Sequence, residues 1–245
     1  MTTLYPLVMG REAMVATEHY LSAAAGARIF ARGGSAIDAA VAATFVEGVV
    51  NPHMHTIGGE APMLIYLADA RRVVAINGNM TAPARATIAH YRGLGLKLIP
   101  GQGLLAAGVP AAFDALAVAL KQFGTMTLAE VIAPAMALCE DGMPMHPGLA
   151  GDGETPEDLS GLIGAASIRS NEKKFREQWP TTAQVYMPRG EVPHTGEIIR
   201  NPALANFFRR LADAEAGARN RGRESAIDAA RDRFYRGDIA HQIVK

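Results

Sequence analysis

Residues 36–50, AIDAAVAATFVEGVV, constrain this chain more than any other stretch. Ser35 has the chemistry of an N-cap, and Asp38, three positions on, completes a capping box and favours the positive end of the helix dipole. The helix so opened is apolar on nearly every side, and a helix without a polar face has to be covered on all of them. It is expected to lie between other layers. Its unbroken apolar run after Ile37 is about a dozen residues, short of the ~20 that span a bilayer, so no membrane partner is expected.

The flanking sequence supplies candidates for those layers. Leu21, Ala25 and Ile29 recur at four-residue spacing on one helical stripe, and Gly33-Gly34 is suited to end that helix in a left-handed conformation. MLIYL and RRVVAI, separated by Ala68-Asp69-Ala70, read as a buried β-hairpin ending at Asn77-Gly78. Pro110, then Phe113, Leu116, Leu120 and Phe123, predicts an amphipathic helix closed by Gly124. Thr127 and Glu130 form a second capping box, although Pro134 is expected to kink that helix or begin a new one. Helical texture returns at NPALANFFRRLADAEAGARN and ESAIDAARDRFYRGDIAHQIV. The hexapeptide SAIDAA occurs at Ser35 and again at Ser225 with unlike flanks, which reads as one capping solution used twice.

Twenty-four basic residues balance twenty-four acidic ones, so no global field favours nucleic acid. The single cysteine, Cys139, excludes an internal disulfide and reads as core within AMALCEDG. The N-terminal MTTLYPLVMGREAM lacks a basic region ahead of a sustained apolar stretch, so a cytoplasmic location is expected.

The motif NPHMHTIGGEAP, residues 51–62, poses a choice. On extended backbone His53 and His55 face the same side, as a zinc pair can, but a site needs a third ligand and only Glu60 is near in sequence. The plainer reading has both histidines bonded to loop backbone while Gly58-Gly59 let the chain turn into the strand. GxxxxGK[ST], GxGxxG and GxSxG are absent, so neither nucleotide binding nor a serine-hydrolase elbow is expected. Thr2 would expose its own α-amine as base if Met1 were removed; against that, Pro6 follows closely and no oxyanion hole is near.

Taken in order, GGSAIDAAVA, VVNPHMHTIGGEAPMLIY, AINGNMTAP, GVPAAFDAL, FGTMTLAEVIAPAMALCEDG, NPALA and FYRGDIAHQIV resemble the large-subunit half of the γ-glutamyltranspeptidase family. The match covers about 13–149 and 185–245 within one portion, 1–245; residues 151–184 match poorly and read as an insertion or lid. The resemblance implies an α/β chain, the helix-rich part of a four-layer αββα N-terminal-nucleophile hydrolase. It also implies a precursor that cuts itself before a threonine, an acyl-threonine intermediate, a small-molecule amide substrate and no cofactor. It makes the glycine-rich loop with Gly58 and Gly59 scaffold near the substrate pocket rather than a metal site.

Two departures follow from the same resemblance. The family's nucleophile opens its small subunit, and no such threonine-led segment occurs here, so no catalytic residue is expected in this chain and a small subunit from the same precursor has to supply it. Where the family reads D-G-R-E-T-A-P and its arginine clamps the substrate α-carboxylate, this chain reads Asn77-Gly78-Asn79-Met80-Thr81-Ala82-Pro83. Asn79, Met80 and Thr81 are therefore the expected substrate-binding residues, with Asn79 in the arginine's place. Arg71, Arg72 and Arg85 are close in sequence, but the first two read as a solvated hairpin turn and Arg85 as a surface helix start.

Overall fold

The computed structural model describes residues 8–152 and 167–245; Thr2 and most of the acidic stretch after Gly151 lie outside them. Helix α1 spans Tyr20–Ala31 and ends at Gly33, whose φ of 84° only glycine adopts cheaply. Helix α2 spans Ala36–Val50 with the predicted capping box present. It is the buried centre: Val41, Ala42, Phe45, Val46 and Val50 are withdrawn from water, and the helix packs against α1, α4 (Ala112–Phe123) and α5 (Leu128–Asp141). The Phe45 ring meets Phe113 of α4 at 6.4 Å and Phe208 at 5.9 Å, the latter edge-on. Phe208 belongs to α9, whose bounds are Pro202–Gly217.

Two buried carboxylates tie these layers together. Asp38 accepts hydrogen bonds from Ser35 N (2.7 Å), Thr125 N (2.9 Å), Thr125 Oγ1 (2.7 Å) and Met126 N (3.0 Å). Burial alone would raise its pKa, but these donors outweigh burial and pull it below the ordinary carboxylate value. Glu215 of α9 accepts from Leu128 N (2.7 Å) and Ala129 N (2.8 Å), taking up two of the donors that the first turn of α5 leaves unpaired.

Helix α5 runs through Pro134 as one helix, so of the two expected outcomes a new helix does not begin there. Proline at that place removes one intrahelical bond, while Val131, Ile132, Ala135 and Cys139 on both sides of it are fully buried, and their packing keeps the two halves in one helix. The second SAIDAA is a further correction. Helix α10 spans Arg223–Tyr235, so Ser225 lies within it and caps nothing.

Strands β1 (Met63–Leu67) and β2 (Arg72–Ile76) pair antiparallel, with Met63 opposite Ile76 and Leu67 opposite Arg72. Arg71 makes the turn at φ 48°. The hairpin is not buried as predicted, because only one face meets the core. Ile65 is covered, whereas Leu64, Tyr66 and Val73 are 80%, 65% and 62% exposed. Alternation along a strand turns every second side chain outward, and here the outward set is apolar too. The remaining elements are α3 (Ile88–Gly93), β3 (Met143–Pro144) paired with β4 (Ile198–Ile199), α6 (Pro147–Ala150), α7 (Ile168–Glu177), α8 (Pro180–Tyr186) and α11 (Asp238–Ile243). The described part of the 151–184 stretch is thus mainly the two helices α7 and α8.

Candidate functional site

The loop after α2 is held at both ends. Asn51 closes the helix, its Nδ2 donating to Glu47 Oε1 at 2.6 Å, and its carbonyl accepts from Met54 N and His55 N. Further on, Gly59 O accepts from both Ala111 N and Ala112 N at 2.9 Å, so the loop caps the start of α4. Ala61 N donates to Gly78 O at 3.0 Å, which carries the hairpin's pairing one step beyond its strands. The demand for glycine falls on the facing residue. A Cβ on Gly78 would stand 2.2 Å from Ala61 O, whereas one on Gly58 would meet nothing nearer than Thr56 Oγ1 at 3.7 Å. Neither Gly58 nor Gly59 has a positive φ, so the chain's turn into the strand does not need glycine at these positions for its backbone angles.

Beyond Gly78 the predicted substrate residues separate. Asn79 and Thr81 line a cleft of about 660 Å³ between the end of β2, α4 and α10, together with Asp114, Lys121, Asp228, Arg231, Tyr235 and Arg236. Met80 does not line it; its side chain packs on Gly108, and its N–H donates to Glu60 Oε2 at 3.2 Å. Gly58 and Gly59 are outside the cleft lining as well. The Asn79 amide is held locally, with Nδ2 donating to Asn77 Oδ1 at 2.6 Å.

Arg71, Arg72 and Arg85 are exposed and none of them faces this cleft. The cations there are Lys121, Arg231 and Arg236, brought from α4 and the end of α10, which sequence spacing gave no means to place. Arg231 donates from Nε to Asp114 Oδ1 (2.7 Å) and from Nη1 to Asp228 Oδ1 (2.9 Å), and Lys121 pairs with Asp228 Oδ2 at 2.6 Å. Tyr235 Oη donates to Pro110 O at 2.9 Å and accepts from Asp114 N at 3.1 Å, and burial pushes the phenol up to about 12. Three cations face three carboxylates, the third being Asp232, paired with Arg236 at 2.5 Å. The cleft is formally neutral.

The two histidines of the loop part company. His53 packs against His146 with ring centroids 5.8 Å apart, and His146 lies 5.1 Å from His19 at the start of α1. His55 instead lies over Gly48 of α2. The expected bonds from His53 and His55 to loop backbone are not made; His53 Nδ1 and Glu47 Oε2 are both buried without a partner. His146 is the histidine that meets backbone, Nε2 to Val50 O at 3.1 Å, while its Nδ1 accepts from Leu149 N at 3.4 Å. With both nitrogens engaged, His146 has no lone pair for a metal. Among the described residues no group of three or more His, Cys, Asp and Glu is placed to hold one. Burial lowers the pKa of His19, His53 and His146, with the His146 charge lowering the first two further and Glu47 raising all three; burial also lowers His55.

A buried central helix, helices stacked to either side and a hairpin covered on one face make up the helix-rich part of a four-layer αββα N-terminal-nucleophile hydrolase fold. The solved structure of an LmbA2991 variant superimposes on this chain with a TM-score of 0.88 at 38% identity, covering 100% of this chain and 39% of that one. Cephalosporin acylase from Bacillus halodurans does so with a TM-score of 0.76 at 27% identity, covering 99% of this chain and 41% of that one. The glutathione hydrolase-like YwrD proenzyme of Bacillus subtilis is 31% identical over 240 residues, 97% of this chain and 39% of the relative. The γ-glutamyltranspeptidase family model matches residues 22–245, and the chain belongs to that family. It spans about two fifths of the length of these relatives.

Proposed function

We propose that this chain is the large-subunit portion of an amide hydrolase or acyltransferase whose nucleophile comes from a small subunit of the same precursor. A threonine freed by cleavage of the precursor attacks the amide carbonyl through its hydroxyl, with its own α-amine as base. The amine leaves, and water or a second amine resolves the acyl-threonine ester. Such a base exists only after cleavage, so residues 1–245 by themselves are expected to be inactive. The outward face of the hairpin supports a covering partner, since Leu64, Tyr66 and Val73 are apolar and exposed on a sheet of two strands.

The acyl group is not the standard γ-glutamyl group. The observation that carries this is Asn79, which lines the cleft where the family has an arginine and whose amide is already bonded to Asn77. An amide brings no charge and no bidentate fork. Charge-assisted hydrogen bonds contribute about 1.5–3 kcal/mol each, so loss of the fork weakens binding of an α-carboxylate by roughly ten- to a hundredfold or more. Arg231 does not replace it, being held by Asp114 and Asp228.

The test is to express the complete reading frame, look by mass spectrometry for two chains and an amino-terminal threonine, and assay γ-glutamyl anilide beside uncharged amides. Asn79→Arg is expected to raise kcat/KM for the glutamyl compound by roughly ten- to a hundredfold. Vigorous glutamyl turnover by the wild type, abolished by Arg236→Ala, would instead assign the carboxylate clamp to Arg236. A reading frame without the threonine-led segment would leave a non-catalytic scaffold.

A further inference from the structure

A second cleft, of about 570 Å³, opens between the start of the 51–62 loop and helices α7 and α8. Three aromatic side chains line it: Phe175, Trp179 and Tyr186, the first two with ring centroids 5.9 Å apart. Leu149 and Ile168 add aliphatic surface, and both are buried. Its size and its mixture of apolar wall with a few polar groups are those of small-molecule sites in general.

The polar groups set the class of ligand. Among the described residues no Lys, Arg, Asp or Glu lines this cleft, in contrast to the cleft at Asn79 with three of each sign. Lys174 is not part of the lining, but its ammonium donates to two residues that are, Gln102 Oε1 at 2.7 Å and Asn171 Oδ1 at 3.5 Å. Its grip leaves Gln102 only an amide nitrogen to offer. Tyr186 Oη makes no hydrogen bond among the described residues, and burial pushes the phenol up to about 12. His53, whose ring contributes to the wall, makes none either. A charged guest would give up its hydration here without a countercharge on the described lining itself, the nearby Lys174 ammonium being already engaged by Gln102 and Asn171, whereas an uncharged ring gains apolar contact and finds His53 and Tyr186 without hydrogen-bond partners.

We infer that this cleft binds an uncharged aromatic small molecule carrying a hydrogen-bonding substituent, held by Phe175, Trp179 and Tyr186 with His53 and Tyr186 as its polar contacts. The site is separate from the cleft at Asn79 and does not depend on the acyl-group specificity argued there.

Trp179, the single tryptophan of residues 1–245, reports on the site, and a Trp179→Phe control identifies its share of the emission in the full gene product. The full gene product is titrated with phenylacetamide, phenylacetate and phenethylamine, near-isosteric and differing in charge, while Trp179 emission is followed with excitation at the red edge of indole absorption. Phenylacetamide is expected to give a saturable change, and the two charged compounds to bind at least tenfold more weakly. Tyr186→Phe is expected to weaken phenylacetamide about three- to tenfold, the loss of one hydrogen bond. Phe175→Arg, checked for an unchanged melt, is expected to abolish the response. Ligand-observed NMR on the same samples covers a bound state that leaves emission unaltered. No saturable binding by either method, equal affinity for the charged compounds, or binding that survives both substitutions unchanged would overturn the inference.

Discussion

The interior around α2 and the hairpin formed by β1 and β2 are both built from branched and aromatic side chains, yet they end in opposite conditions. Around α2 every layer comes from this chain, and polar groups carried inward find partners from distant segments: Asp38 meets Thr125 and Met126, and Glu215 meets Leu128 and Ala129. The hairpin places Ile65 against that interior and leaves Leu64, Tyr66 and Val73 in water. The first region is closed within these residues except along a stripe at Ala36 and Ala40, the second on one face only. Burial, rather than apolar content, separates the region whose mutation endangers the fold from the region whose mutation endangers an interface.

The largest effect that separates the two is expected at Phe45. Phe45→Ala removes a ring that touches Phe113 and Phe208 and should cost about 3–5 kcal/mol, read from denaturant melts of the purified chain. Asp38→Ala should cost about 2–3 kcal/mol, because it removes a buried carboxylate and with it the partner of three part-buried N–H groups, those of Ser35, Thr125 and Met126. A loss under about 1 kcal/mol at both positions would mean that the interior is not the cooperative unit, and the contrast with the hairpin would fail.

How legible each region was in the sequence follows the same division. The capping boxes at Ser35 and Thr127 and the all-apolar face of α2 are local patterns, and local patterns survive folding. The hairpin itself was legible too, but its burial was not, since alternation shows which side chains share a face and not what covers the face. That no new helix begins at Pro134 was not legible, because the outcome is decided by buried neighbours rather than by proline's own geometry. At the cleft the sequence offered Asn79 and Thr81 through family resemblance alone. Asp114, Asp228 and Arg231 meet across more than a hundred residues, a separation that no spacing rule spans. His19 and His146 were missed beside His53 for the same reason, since spacing along the loop offered only His55 as its neighbour.

The histidines gather at the start of α1, the end of α2 and the start of α6, and they give the fold a pH dependence. A histidine with a lowered folded-state pKa is neutral in both states at high pH, so its contribution is fully present above the unfolded value of about 6.5. As pH falls below that, the unfolded chain takes up protons first, and stability is lost until the folded pKa values are passed. His19, His53, His55 and His146 all shift downward, chiefly through burial, so their losses add over the same window. Melting temperature should therefore decline between pH 7 and 5 before carboxylates begin to titrate. His53→Phe keeps a ring against His146 while removing a titrating group and a buried nitrogen without a partner. It should flatten the decline and add up to about 1 kcal/mol near pH 6. A slope identical to wild type would place the proton-sensitive element elsewhere.

The smallest effects on stability are expected on the hairpin's outer face, and they sharpen the comparison most. Leu64→Lys and Tyr66→Lys alter side chains already in water, so the purified chain should change by no more than about 0.5 kcal/mol. Tyr66 stands opposite Val73 and Leu64 opposite Ala75, so neither substitution disturbs the paired face that carries Ile65. The same changes made in the complete reading frame should impair assembly or maturation, because a lysine buried at a dry interface costs several kcal/mol. Silence in the short chain together with damage in the long one is what a face awaiting its cover requires. Equal damage in both would mean that the hairpin's outer residues stabilise this chain directly, and equal silence that nothing ever covers them.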